Sequence, residues 1–366
     1  MEEKNLILVL IVVGAMLVLG LVLGLVFGLK KYDEDDDENK LNVLNSYSNT
    51  DELIKKYPVI NPTEILDGIE KNIQNRLLTG FENWNRGFDT WKAWGNILYT
   101  NDSIYNVHGA RLSLASYQKA MDISLQRQTI LMGDFHNMLI IDNFVGIHYD
   151  FLFGPVGAKK EELTKSRVME FVNFKDYGVN LGTRVVEGWG STKDEEGEGL
   201  KFFQGEKEKR EQEIQEHFFL KNYNIPNTTD LNEKYFIMNP TTYKDENAKD
   251  ILKIVLEGFD SWNNGLESYI TFINKTYDDN AISSSLDERD RTMDEYRKEM
   301  KDLFTKKKIE KLYFDNILIR DNWTGLHFRY RSLNLTSNEI SVGDRMQFLK
   351  FEQKGQQLTI TGSWIQ

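Results

Sequence analysis

The chain has 366 residues, enough for two or three domains, with 40% apolar and 28% charged residues, the composition of a globular protein. It has no cysteine, which rules out disulfides, thiolate catalysis and Cys-ligated zinc. The net charge is −12, of which the run Asp33 to Glu38 (DEDDDE) supplies −6 and residues 191–226, with nine acids and six bases, another −3. The rest is nearly neutral and lacks any Lys/Arg cluster interleaved with aromatics, so a nucleic-acid-binding role is not expected.

Leu6 to Leu29 holds 24 residues without a charge, about 36 Å of helix at about 1.5 Å per residue. It is too long for a signal-peptide core and ends in Lys30 and Lys31, so the sequence predicts an uncleaved single-pass membrane anchor over residues 1–30. Lys4 and the α-amine before the span and Lys30 and Lys31 after it nearly balance. The short N-terminal tail and large C-terminal body then favour an extracytoplasmic body. Gly20, Gly24 and Gly28 share one helix face and could drive self-association, although membrane helices also tolerate glycine without it. Residues 31–48 read as a solvated acidic spacer without the spacing of a calcium loop.

From residue 49 onward the chain is written twice. NTDELIKKYPVINPT from Asn49 matches NTTDLNEKYFIMNPT from Asn227, and GFENWNRGFDTW from Gly80 matches GFDSWNNGLESY from Gly258. FHNMLIIDNFVGIHYDF (Phe135 to Phe151) matches FDNILIRDNWTGLHFRY (Phe314 to Tyr330) at eight of seventeen positions. A period this long means two copies of a whole domain, over 49–190 and 227–366, separated by a charged linker, 191–226, with a helix expected over Glu206 to Leu220.

Each copy opens on Asn-Pro-Thr (Asn61 to Thr63, Asn239 to Thr241), read as a helix N-cap with Pro in the first turn. A long amphipathic helix follows, with its apolar face at Ile65, Ile69, Ile73, Leu77, Phe81, Trp84, Phe88 and Trp91. In the second copy the face is Ile251, Val255, Phe259, Trp262, Leu266 and Tyr269. A turn region with Tyr99 or Tyr277 precedes a second helical stretch carrying Tyr117 and Met121, or Tyr296 and Met300. The period then changes to two: a hairpin around Asp321-Asn322 and Gly325, then strands Met169 to Phe174, Thr183 to Trp189, Met346 to Phe351 and Leu358 to Trp364. Helices followed by an antiparallel sheet make each copy α+β.

This order, with DNILIRDNWTGLHFRYRS and FLKFEQKGQQLTITGSW ending in Trp364, resembles the SnoaL-like branch of the nuclear transport factor 2-like superfamily over about 61–190 and 239–366. The resemblance implies two tandem cone-shaped domains, each a curved sheet wrapped around helices with a pocket at the wide end. It also implies sheet-to-sheet dimerisation, which two joined copies could make within one chain. The family includes isomerases, cyclases, dehydratases and hydrolases as well as non-catalytic binding modules. The leading expectation is a non-catalytic, membrane-anchored ligand-binding or scaffolding protein; the alternative is an anchored isomerase, cyclase or hydrolase acting on a small apolar substrate.

The candidate ligand-binding residues are the equivalent pairs His148 and His327, Trp84 and Trp262, and Tyr99 and Tyr277. The histidines serve as pocket groups only if their strand face turns inward; the aromatic face, with Phe328 and Tyr330, competes for the core. Asp142 and Asp321, each followed by Asn, read either as hairpin-turn residues or as pocket acids. Asp150 and Arg329 occupy equivalent positions with opposite charge and are expected to face each other between the copies. No catalytic set, metal site or cofactor motif is found: the five histidines are scattered, and GxSxG, P-loop and GxGxxG patterns are missing.

Overall fold

The computed structural model describes residues 50–66, 68–107, 110–178, 182–192, 225–243, 246–285 and 289–366. The anchor Leu6 to Leu29 with Gly20, Gly24 and Gly28, the acidic run and the helix expected over Glu206 to Leu220 all lie outside these residues. Among the described residues no helix is long and apolar enough to cross a membrane. The described residues between 50 and 177 and between 183 and 366 form one compact body.

In the first half α1 (Thr50–Lys56), β1 (Val59–Asn61), α2 (Ile69–Arg86), α3 (Phe88–Leu98), β2 (Tyr99–Val107), β3 (Ala110–Ser113) and α4 (Leu114–Leu125) precede four long strands. These are β4 (Gln128–Ile141), β5 (Phe144–Pro155), β6 (Thr164–Asp176) and β7 (Thr183–Thr192). The second half repeats the pattern with α5 (Leu231–Lys234), α6 (Glu246–Asn263), α7 (Leu266–Thr276), β8 (Tyr277–Ser284), β9 (Asp290–Arg291) and α8 (Met293–Lys306). Its long strands are β10 (Lys307–Arg320), β11 (Trp323–Asn334), β12 (Ile340–Lys354) and β13 (Gln357–Ile365). The sheets run β1-β4-β5-β6-β7-β2-β3 and β10-β11-β12-β13-β8-β9, the same order apart from β1. In place of β1 the second half has one parallel bridge, Ile237 to Phe314, at the position of the Val59–Phe135 pair. Register shifts recur at matching points, Phe135/Asn137 with Phe314/Asn316 and Asn173/Phe174 with Lys350/Phe351. Such bulges bend a strand and raise its twist, which curves each sheet over its helices.

Two details differ from the sequence expectation. The Asn-Pro-Thr segments do not cap helices. They extend the sheet edge: Asn61 donates to the His136 carbonyl, and Thr63 and Thr241 donate to the Met138 and Ile317 carbonyls at 3.1 Å each. The long helix is two helices in each half, broken at Gly87 (φ 126°) and Gly265 (φ 100°), values an L side chain rarely adopts. The break lets α3 and α7 fold back. Gly80 and Gly258 make room for the returning rings: a Cβ would lie 2.3 Å from Trp94 and 2.9 Å from Phe272.

The outer faces of the two sheets meet. Leu139, Ile141, Met169, Phe171 and Trp189 from the first half join Leu318, Trp323, Met346 and Phe348 from the second in one buried cluster. The contacts obey a pseudo-two-fold. His148 packs against Phe348 and Trp364, and His327 against Phe171 and Trp189, with tilted rings (centroids 5.6, 6.1, 5.6 and 5.1 Å apart). Asp142 and Asp321 sit at turns with φ 54° and 53°, and each carboxylate accepts a backbone N–H from the other half, Thr242 at 3.1 Å and Glu64 at 2.9 Å. The turn reading holds, with a tie across the interface added. The symmetry is not complete: buried Arg320 pairs with buried Glu70 at 2.9 Å, where the equivalent residues are Ile141 and Ala248.

Candidate functional site

The second half holds a cavity of about 450 Å³ between its sheet and helices α6, α7 and α8. Amphipathic α6 contributes Val255, Phe259 and Trp262, and the inward alternation of β11 and β12 contributes Phe328, Tyr330, Arg345, Gln347 and Leu349. Polar groups form a line through this apolar wall. The hydroxyls of Tyr269 and Tyr296 lie 2.8 Å apart, Tyr277 interacts with those of Tyr296 and Ser363, and Gln347 donates to Ser363 at 2.9 Å. Burial pushes the Tyr296 phenol up to about 12 and those of Tyr269 and Tyr277 well above the ordinary value, so all three stay protonated as hydrogen-bond donors. Of the charged lining residues, Arg291 pairs with Glu299 at 2.7 Å. Arg345 lies 5.5 Å from the centre of the Tyr330 ring, and Lys307 is exposed on the rim.

In the first half a tyrosine enters the equivalent space. Tyr105 stands where Ser283 stands, as the register shows: Tyr105 pairs with Gly188 and Ser283 with Ser363. Its ring stacks on Tyr117 at 4.0 Å, and Gly188 and Gly190 make room, since a Cβ at either would lie 2.8 Å from it. In the second half those glycines are Ser363 and Ile365. The Tyr105 hydroxyl donates to Glu170 at 2.7 Å and Tyr149 adds a second bond at 3.0 Å. Burial raises the pKa of Glu170 above the ordinary carboxylate value, against the pull of the two phenols. Its counterpart across the repeat is Gln347.

Of the residues singled out from sequence, Trp262 and Tyr277 line the cavity. Trp84 is packed in the first core and its indole N–H donates to the Ile130 carbonyl at 3.0 Å, while Tyr99 lies edge-on to Trp94. His148 and His327 do not enter either interior. Alternation gives Phe328 and Tyr330 the inner face, so the histidines turn to the opposite sheet, where burial pushes His148 well below the usual histidine range. Asp150 and Arg329 do not meet. Asp150 pairs with His136 at 3.0 Å and Lys165 at 3.4 Å; burial pushes its carboxyl up, but these partners outweigh it and the net shift is down. Arg329 pairs with Asp315 at 2.7 Å. Each copy neutralises its own charge with partners on adjacent strands, His136 on β4 and Lys165 on β6 for Asp150, and buried Asp315 on β10 for Arg329. The residues missed from sequence are Tyr269, Tyr296, Gln347, Ser363 and the charged set Arg291, Glu299, Lys307 and Arg345. The inward alternation of Arg345, Gln347 and Leu349 was the available signal for the β12 members.

No family model and no curated protein matches the chain. Its structural neighbours have SnoaL-like and nuclear transport factor 2-like folds. A ketosteroid isomerase-like protein from Erwinia carotovora atroseptica is similar over 33% of this chain and 95% of its own, with 9% identity and a TM-score of 0.29. A SnoaL-like polyketide cyclase from Agrobacterium tumefaciens is similar over 32% and 89%, with 17% identity and a TM-score of 0.26. An NTF-2 like protein of unknown function from Shewanella oneidensis covers 32% and 98%, with 16% identity and a TM-score of 0.25.

Proposed function

We propose that the chain carries two SnoaL-like domains, over 49–190 and 227–366, of which the second binds a small, mostly apolar molecule without transforming it and the first serves as its structural partner. The observation that carries this reading is the cavity of about 450 Å³ in the second half, where the first half has the Tyr105 ring in place of Ser283. The size and the apolar wall with a few aligned polar groups are those of a small-molecule site. The lining supports binding over catalysis. The phenols of Tyr269, Tyr277 and Tyr296 are held protonated by burial, and its one carboxylate, Glu299, is engaged by Arg291. Leu6 to Leu29 would hold this binding domain at a membrane, facing away from the cytoplasm, with Gly20, Gly24 and Gly28 as a seam for helix pairing.

Trp262 is the one tryptophan in the cavity wall, so it reports occupancy. Titrating the full chain in lipid nanodiscs with 11-bromoundecanol, whose bromine quenches nearby indoles, should give saturable quenching at one equivalent per chain. Trp262→Phe should remove that quenching. Quenching that is absent, or that persists in Trp262→Phe, overturns the reading.

A further inference from the structure

The internal repeat supplies a control for which features of the cavity are fold and which are site. Four charged residues line it: Arg291, Glu299, Lys307 and Arg345. At the matching positions the first half has Leu112, Ala120, Gln128 and Val168, all uncharged. The registers fix these equivalences: Ser283 pairs with Arg291 as Tyr105 pairs with Leu112, and Phe328 with Arg345 as Tyr149 with Val168. The fold therefore closes without these charges. Arg291 and Glu299 offset each other at 2.7 Å, which leaves Arg345 and Lys307 as a surplus of two cations. Neither has a carboxylate partner among the described residues: the Arg345 guanidinium donates to the Asp344 carbonyl at 2.8 Å and faces the Tyr330 ring. A chain of net charge −12 thus puts two cations without a carboxylate partner among the described residues on the wall of this cavity.

We propose that this cavity takes a single-chain organic carboxylate, its carboxylate held by Arg345 and Lys307 and its apolar body lying against Val255, Phe259 and Leu349. The guanidinium, half-buried beside Tyr330, is the main anchor, since its planar fork matches a carboxylate and its surroundings exclude part of the water. Lys307, exposed on the rim, attracts the anion at longer range. The phenol line deeper in the cavity serves any hydroxyl or carbonyl on the body.

This inference rests on the cavity being a ligand site, and the test separates the two. The probes are 11-bromoundecanoate and 11-bromoundecanol, identical except at the charged end, titrated at neutral pH into the full chain in nanodiscs and read by Trp262 quenching. The carboxylate should bind at least about tenfold more tightly, as expected for a hydrogen bond to a charged group. Arg345→Gln should bring the two probes to within about twofold of each other. Lys307→Gln, at an exposed site that tolerates substitution, should narrow the preference by about two- to threefold and keeps the test available should the first variant fail to fold. Equal binding of the two probes by the unaltered chain overturns the carboxylate proposal and leaves the cavity reading standing. So does a preference untouched by both variants. Quenching by neither probe overturns both.

Discussion

Glu170 and Gln347 occupy one position of the repeat, and the difference between them reaches the stability of the molecule. Burial raises the pKa of Glu170 in the first half, so folding favours its neutral form. Its contribution is therefore fully present below the ordinary glutamate value and is lost as pH rises through the raised one. Glu170→Gln keeps the acceptor for Tyr105 and Tyr149 and removes the ionisation. The variant should match the unaltered protein near about pH 4 and be more stable near about pH 8, by on the order of 1–3 kcal/mol. Melting temperatures across that range check this, and parallel pH profiles would contradict it. Alternation along β6 and β12 places both residues inward from sequence alone. Their partners were not legible, because Tyr105 arrives on β2, a strand that the sequence pattern conceals as a turn region: Asn101-Asp102-Ser103 gives no apolar alternation.

At the level of elements, the interface is held by turns and one ion pair as well as by rings. Arg320 at the end of β10 donates to both carboxylate oxygens of Glu70 in α2, at 2.9 and 3.3 Å, and to the Glu64 carbonyl at 3.1 Å. Both side chains are 5–6% exposed. Removing one charge strands the other, so Arg320→Ile should cost about 3–5 kcal/mol. The double variant Glu70→Ala with Arg320→Ile writes in Ala248 and Ile141 from the opposite half, and should recover most of that loss. Denaturant unfolding of the four proteins checks the cycle, and additive losses would contradict it. The helices, the hairpins and their order were legible because their apolar periods are long and occur twice. The helix starts were not. Asn-Pro-Thr is a cap signal locally, but its side chains serve the carbonyls of β4 and β10, a long-range demand that outweighs local propensity. The breaks at Gly87 and Gly265 left the apolar stripe intact on both sides, so the stripe read as one helix.

For the whole molecule, the two halves share a strand order, bulges and a pseudo-symmetric interface, yet they differ inside. The first places Tyr105 in this space, admitted by Gly188 and Gly190; the second, with Ser283, Ser363 and Ile365, has a cavity there. The internal repeat was plain in the sequence, whereas this difference between the halves was not. It depends on which residues of β2 and β7, or of β8 and β13, lie side by side, and the pairing is parallel between strands far apart in the chain. The most direct measurement exploits that pairing. The triple variant Ser283→Tyr, Ser363→Gly, Ile365→Gly writes the interior of the first half into the second. With folding confirmed by a cooperative melt, it should no longer show saturable Trp262 quenching by 11-bromoundecanol, while the unaltered chain binds one equivalent. Binding that survives the triple variant would contradict the claim that the space opened at Ser283 is the site.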